Sequence, residues 1–283
     1  MRSQKEILLD AKILDAISNL KYSGRALEAA KIVIEDDEIQ AVQEYANSVS
    51  IKRLHFNDHG PVHMRVVALN ALIMMGLLQE GGIKTSLEIE ECGTFEDSLV
   101  AIILAAFLHD IGMSIGRQDH KLHSSYIAYP IIDSILKKVY KEDIQKRVSV
   151  RSLALEGVTG HMGNRMIHSL EAGIVLVADG CDMNKGRARI SLALSHSPRV
   201  GDIHQYSANS IEEVRITKGV ENPIRIEVVM SSEIGLFQVE EVLLGKINAS
   251  PAKSCIELYA LVQGKEPKQY LPVAQQRSPA SGF

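Results

Sequence analysis

The feature that most restricts the fold is a wholly apolar run, Leu99 to Leu108, that ends abruptly in His109 and Asp110. The length of this run and its alanines favour a buried helix over a strand, although periodicity alone does not separate the two. Ending a buried helix with an imidazole and a carboxylate costs desolvation free energy unless both groups are paired or coordinate something. A divalent cation satisfies both, because neutral imidazole and carboxylate form a mixed nitrogen and oxygen site. The pattern therefore predicts a metal site at the end of this helix.

The composition is that of a soluble globular chain. Hydrophobic residues make up 46% of the 283 residues and charged residues 23%, enough for a sizeable core in one large domain or two ordinary ones. The formal net charge of −4 supplies no global basic field, so we expect no general nucleic-acid binding. A nucleotide substrate is compatible with this charge. The longest apolar run is roughly ten residues, too short to span a bilayer, so we expect no membrane association.

The cysteines and the N-terminus indicate a cytoplasmic protein. Cys92, Cys181 and Cys255 stand alone without a CxxC pair, which argues against a cysteine-based zinc site and against a disulfide framework. The first fifteen residues carry early acidic side chains and no uninterrupted apolar segment, so we expect no signal peptide.

The pattern of apolar residues predicts a mainly α fold with a small C-terminal α+β unit. Helical spacing dominates to about residue 200, and Pro61 suits the first turn of a helix. Beyond Gly201, two strand-like segments, an amphipathic helix and a third strand-like segment indicate a β-β-α-β unit. The predicted organisation is an N-terminal helical segment, a metal-binding helical domain, the α+β unit and a loosely ordered tail, at residues 1–50, 51–205, 206–265 and 266–283.

Further potential metal ligands lie at intervals along the helical part: His63, His120, His123, His161 and Asp179. Each has an ordinary interpretation when it is considered alone. A single histidine in a loop is usually solvated or a cap, and Asp179 suits a helix end. The joined His109-Asp110 pair is harder to explain in this way.

Taken in order, His63, His109-Asp110 and Asp179 resemble the H…HD…D signature of the HD-domain metal-dependent phosphohydrolases. The local contexts "HMRVVALNAL", "LHDIGM" and "LVADGCDM" are also similar to that family, and the match covers roughly Asn57 to Met183. The resemblance implies an HD-domain helical bundle and hydrolysis of phosphate esters, often of nucleotides. No Gly-Tyr-Pro motif follows His161, so the cyclic-di-GMP subgroup is not supported.

The resemblance also implies a ligand set. Four ligands carry over as His63, His109, Asp110 and Asp179. Some family members hold a second metal through additional histidines, for which His161 and one of His120 or His123 are suitably placed. We expect Asp110 to bridge two ions if both bind. The cofactor is then one or two divalent ions per chain, Mn, Fe, Co, Ni, Zn or Mg.

The implied chemistry assigns further roles. Bound metal would lower the pKa of a water and polarise phosphoryl oxygens, with Asp110 as the central catalytic residue. Positive side chains should neutralise the remaining phosphate charge. Lys185 and Arg187 are predicted as catalytic and substrate-binding residues, and Arg117 and Arg189 as substrate-binding residues, although such a basic cluster is more often plain surface.

Two other functions fit the same residues. A di-iron oxygenase of the HD fold would use a similar histidine-rich set, and a non-catalytic sensor would bind a nucleotide at a surviving metal site. The expected partner is a small phosphorylated substrate. The C-terminal unit is expected to cover the helical core, and its alternative roles are to form a homo-oligomer or to shape substrate access.

Overall fold

A computed structural model describes residues 2–183 and 207–272. Lys185, Arg187 and Arg189, predicted to bind phosphate, lie outside the described residues. Nine α-helices occupy the first described range. These helices, α1 to α9, are Gln4–Ser18, Gly24–Glu35, Asp37–Ser48, Pro61–Glu80, Ser86–Ile89, Phe95–Leu108, His120–Tyr140, Ile144–Gly160 and Leu170–Gly180.

Helix α6 is the centre of the helical body. Thr94 begins it with a capping box, because its side chain accepts from the Asp97 amide while Asp97 accepts from the Thr94 amide. Every residue from Asp97 to Leu108 is buried, and helices α2, α4, α8 and α9 pack around it. The prediction of a buried helix ending at the His-Asp pair is confirmed.

Two described helical segments, Pro61–Glu80 and Phe95–Ser114, are long and apolar enough to cross a membrane. In their most apolar windows, 61% and 94% of the residues are buried inside the fold. They therefore have the character of core helices.

The C-terminal unit is a four-stranded mixed sheet of β1 (Ile211–Lys218), β2 (Ile224–Met230), β3 (Ile256–Val262) and β4 (Lys268–Leu271), in that order. Strands β1 and β2 pair antiparallel, β2 and β3 pair parallel, and β3 and β4 pair antiparallel. A helical segment connects the parallel pair, with α10 (Leu236–Gln238) and α11 (Leu244–Ala249) flanking a wider π-helical turn at Val239–Leu243.

The predicted fold class, mainly α with a small α+β unit, is confirmed, and so is the β-β-α-β order. One segment differs: the tail predicted from residue 266 contains strand β4. Its residues pair with the edge of β3, and Leu271 is buried. Polar composition suggested a loose tail, but an open sheet edge supplies backbone partners that composition does not reveal.

Candidate metal centre

The first group of ligand atoms lies where α4 meets the end of α6. His63 is in the first turn of α4, and its Nε2 atom is 3.1 Å from Nε2 of His109. Oδ2 of Asp110 lies 3.4 Å from the first of these nitrogens and 3.3 Å from the second. Oδ1 of Asp179, at the end of α9, lies 3.2 Å from Nε2 of His63 and 4.0 Å from Nε2 of His109. Four residues, from two helices and the end of a third, therefore face a common centre.

The second group lies on the other side of Asp110. Its Oδ1 atom is 3.3 Å from Nε2 of His120 and 3.3 Å from Nε2 of His161. These two nitrogens are 3.1 Å apart. Asp110 thus presents one oxygen to each pair of imidazoles, and all of these side chains are buried.

The opposite nitrogen of each imidazole is held by an acceptor. Nδ1 of His63 is 2.6 Å from Oδ2 of Asp182. Nδ1 of the other three imidazoles lies 2.7–2.9 Å from a backbone carbonyl. Carbonyl and carboxylate oxygens only accept, so each Nδ1 carries the proton and each Nε2 of a neutral ring presents a lone pair to the centre. The three carbonyls belong to Ala106, Arg117 and Val158.

This arrangement fits metal ions. In neutral rings, two lone pairs 3.1 Å apart repel each other unless a cation stands between or beside them. The donors are imidazole and carboxylate, which suit divalent transition metals. An outer acceptor on the far nitrogen of each imidazole is the usual support of a metal-ligating histidine. His63, His109, Asp110 and Asp179 would hold one ion, and Asp110, His120 and His161 a second.

Electrostatics keep the donors in their ligating forms. Burial lowers the pKa of His161 to about 4, an effect that Asp110 only partly opposes. Burial alone would raise the pKa of Asp110, but the neighbouring His109 and His59 hold it well below its usual range. The pKa of Asp179 is likewise held low, against burial, chiefly by Lys246. At neutral pH the imidazole of His161 is therefore neutral and both carboxyl groups are ionised.

A close approach of two backbones brings His120 to the site. A Cβ atom at Gly112 would lie 2.0 Å from the carbonyl oxygen of His120 and 2.4 Å from the amide nitrogen of Ser124. The hydroxyl of Ser124 also accepts a hydrogen bond from the Gly112 amide at 2.8 Å. The glycine after the His-Asp pair therefore lets the first turn of α7 lie directly against the end of α6.

Two predicted residues are placed elsewhere. His123 is in neither group of converging donors, and its Nδ1 is buried without a hydrogen-bond partner among the described residues. Arg117 directs its guanidinium over the ring of Phe56, 5.3 Å from the centroid, and only its carbonyl supports the site. Among the described residues, no hydrogen bond or ion pair joins its side chain to the converging donors.

Two residues of the site were missed by the sequence prediction. Asp182, which orients His63, follows Asp179 by three residues within the quoted segment "LVADGCDM". This proximity was an available signal. Lys246, on α11, forms an ion pair with Oδ2 of Asp179. It lies 67 positions away in the chain, and nothing in its local sequence distinguishes it from a surface lysine.

Comparison with known proteins provides a relative without a described activity. No family model matches the chain, and no solved structure matches it. Over 236 residues the chain is 42% identical to "Uncharacterized protein MJ1020" of Methanocaldococcus jannaschii. The aligned part covers 83% of this chain and 88% of the archaeal protein. At this identity and coverage, the chain belongs to the same family as MJ1020 of Methanocaldococcus jannaschii.

Proposed function

We propose that this protein is a metal-dependent phosphohydrolase of the HD-domain type. The observation that carries the proposal is the position of Asp110, whose two oxygens each face a pair of imidazole Nε2 atoms at 3.3–3.4 Å. A carboxylate shared in this way suits two adjacent cations. The ligand order along the chain also resembles the H…HD…D signature.

The chain's own residues would provide a rigid and largely dry site. The carbonyl and carboxylate acceptors on Nδ1 fix the ring orientations, so little reorganisation is needed when a substrate binds. Ions held there would activate a water and polarise phosphoryl oxygens. The protein would thus provide position and charge, which are the main requirements for phosphoryl transfer to water.

The proposed substrate is a small phosphate ester, a nucleotide or a related phosphomonoester or diester. Asp110 would be the central catalytic residue, and Lys185, Arg187 and Arg189 remain predicted phosphate-binding residues. We propose a cytoplasmic location, which the three free cysteines support.

Metal analysis coupled to a substrate screen tests the proposal. Protein purified without added metal should contain up to two transition-metal ions per chain, and the loaded protein should release phosphate from at least one class of ester. His161→Gln should lower the metal content by up to one ion and reduce turnover. The exposed His168 offers a matched control, and His168→Gln should change neither quantity.

Other outcomes would favour the alternative functions. Two irons per chain with oxygen consumption and no phosphate release would indicate the oxygenase. Nucleotide binding without turnover would indicate the sensor. Wild-type protein that retains no metal after purification and binds none on titration would contradict all three functions.

A further inference from the structure

Lys246 brings a positive charge from the C-terminal unit to the ligands of the helical body. Its ammonium pairs with Oδ2 of Asp179 and donates to the carbonyl oxygen of His161 at 3.0 Å. Oδ1 of the same aspartate faces His63. The ammonium is therefore separated from the centre of the first group by a single carboxylate.

The lysine side chain lies in a passage formed by small residues. A Cβ atom at Gly180 would lie 3.0 Å from Cδ of Lys246, and one at Gly163 would lie 3.9 Å from its Cγ. Only 13% of the side chain is exposed. A lysine whose role was a surface ion pair would keep its ammonium in water, where such pairs contribute little. This one is directed inward, toward the ligand cluster.

We propose that Lys246 binds a phosphoryl oxygen of the substrate, an inference that rests on the proposed function. A phosphohydrolase needs fixed positive charge beside the transferred group, and lysine is a common phosphate ligand. Within residues 2–183 and 207–272, the Lys246 ammonium has two acceptors, which leaves one of its three N–H groups for a ligand. Arg117, the predicted phosphate ligand in the described part of the chain, is directed at Phe56 instead.

This role makes the C-terminal unit part of the active site. Helix α11 packs against α9, which carries Asp179. The same unit that covers the helical core therefore supplies a charge to the reaction centre. Substrate binding then depends on the docking of the sheet unit onto α9.

Inorganic phosphate is the probe for this proposal. Titration calorimetry on metal-loaded Lys246→Met protein should show phosphate affinity reduced about 10-fold or more, the usual loss for a hydrogen bond to a charged group. Metal content should equal that of the wild type. Lys246→Arg, which keeps the charge, should bind phosphate more tightly than Lys246→Met. Lys253→Met, an exposed lysine of the same unit, is the matched control and should match the wild type.

A second measurement needs no variant. Phosphate should slow the reductive methylation of Lys246 in metal-loaded wild-type protein, followed by mass spectrometry, and leave that of Lys253 unchanged. Unchanged phosphate affinity in Lys246→Met, or unchanged methylation of Lys246, would overturn the proposal. Loss of metal from Lys246→Met would also overturn it, because the lysine would then only hold Asp179.

Different experimental outcomes would refute the role of Lys246 and the proposed hydrolase function. Suppose that the wild type hydrolyses phosphate esters and that Lys246→Met binds phosphate with unchanged affinity. The proposed hydrolase function would then hold, and only the proposed role of Lys246 would be refuted. Wild-type protein that neither binds phosphate nor hydrolyses any ester would overturn both.

Discussion

At the scale of single residues, each side chain of the site uses its two polar atoms for two different contacts. Each of the four imidazoles of the candidate site directs Nδ1 to an acceptor in the protein and Nε2 to the centre. The two oxygens of Asp110 face the two different groups of donors. Asp179 directs Oδ1 to the first group and Oδ2 to Lys246. Such residues are difficult to replace, because each change alters an inner and an outer contact together.

Asp110 should be the most sensitive position. Asp110→Ala removes both carboxylate oxygens, one of which faces each imidazole pair, so metal retention and turnover should both be lost. Asp182→Asn removes only the carboxylate behind His63 and should weaken metal binding by about 10–100-fold, the usual effect of an outer-shell partner. Metal analysis and titration with Mn²⁺ measure both effects. An Asp110→Ala protein that kept its metal and its activity would refute the mechanism.

The metal-free protein should lose stability in mild acid because of His161. Its pKa falls from 6.5 in the unfolded chain to about 4 in the fold, so the unfolded chain binds more protons between these values. The free energy of unfolding therefore decreases as the pH falls through this window, by about 3 kcal/mol in total. Asp110 and Asp179 do not add to this decrease, because the fold holds the pKa of each carboxyl well below its ordinary value. Urea unfolding of chelator-treated protein measures the slope.

The matched comparison for this pH dependence is His161→Gln. Glutamine does not titrate, so the variant should show a shallower decrease over the same window. An equally steep decrease in the variant would assign the effect to other groups.

At the scale of elements, the junction between α6 and α7 decides whether the second group of ligands forms. The polypeptide passes from Leu108 to His120 through a short 3₁₀ turn at Ile111–Ser114. Gly112 in this turn lies against the backbone of α7. The position of His120 therefore depends on the absence of a side chain at residue 112.

Gly112→Ala should displace α7. Its Cβ would lie 2.0 Å from a backbone oxygen, which cannot rotate away as a side chain could. We expect a loss of about 1–3 kcal/mol in the free energy of unfolding, together with weaker binding of the second ion. Gly116 is the matched control, since a Cβ there would meet nothing within 4 Å. Equal stability and metal stoichiometry of both variants would contradict this account.

At the scale of the whole molecule, the N-terminal helices support the helices that carry the ligands. The fully buried guanidinium of Arg65, on α4, donates to Asp10 of α1 at 2.7 Å and to Gln43 of α3 at 3.3 Å. Gln43 in turn donates to the carbonyl oxygen of Phe107 at 2.7 Å. These contacts lie two residues from His63 and two from His109. The N-terminal segment thus belongs to the framework of the site.

Arg65→Met should destabilise the protein by about 3 kcal/mol, because it leaves the buried Asp10 paired only with the part-exposed Arg2. Arg65→Met combined with Asp10→Leu should recover part of this loss, since apolar pairs often replace buried ion pairs well. The exposed Arg215→Met is the control and should change stability little. Denaturant unfolding measures all three variants. A double variant no more stable than Arg65→Met would refute this explanation.

Much of the helical body could be predicted from local patterns. The apolar run before His109 and the capping box at Thr94 both belong to one helix. Their residues lie close together in the chain, so a local sequence pattern reveals them. The alternation in β2 likewise marks a strand without knowledge of its neighbours. The motif order from His63 to Asp179 named side chains that the fold brings together, because it combines three such local segments.

The tertiary structure alone decided the rest. His120 and His123 are three residues apart, so both lie on one side of α7 and spacing cannot choose between them. The packing of Gly112 against α7 brings His120 to Asp110. Lys246 reaches Asp179 only because the sheet unit docks on α9, and β4 forms only because β3 offers a free edge. Sequence patterns report contacts between neighbours in the chain, whereas a metal centre is built from contacts between helices that are distant in sequence.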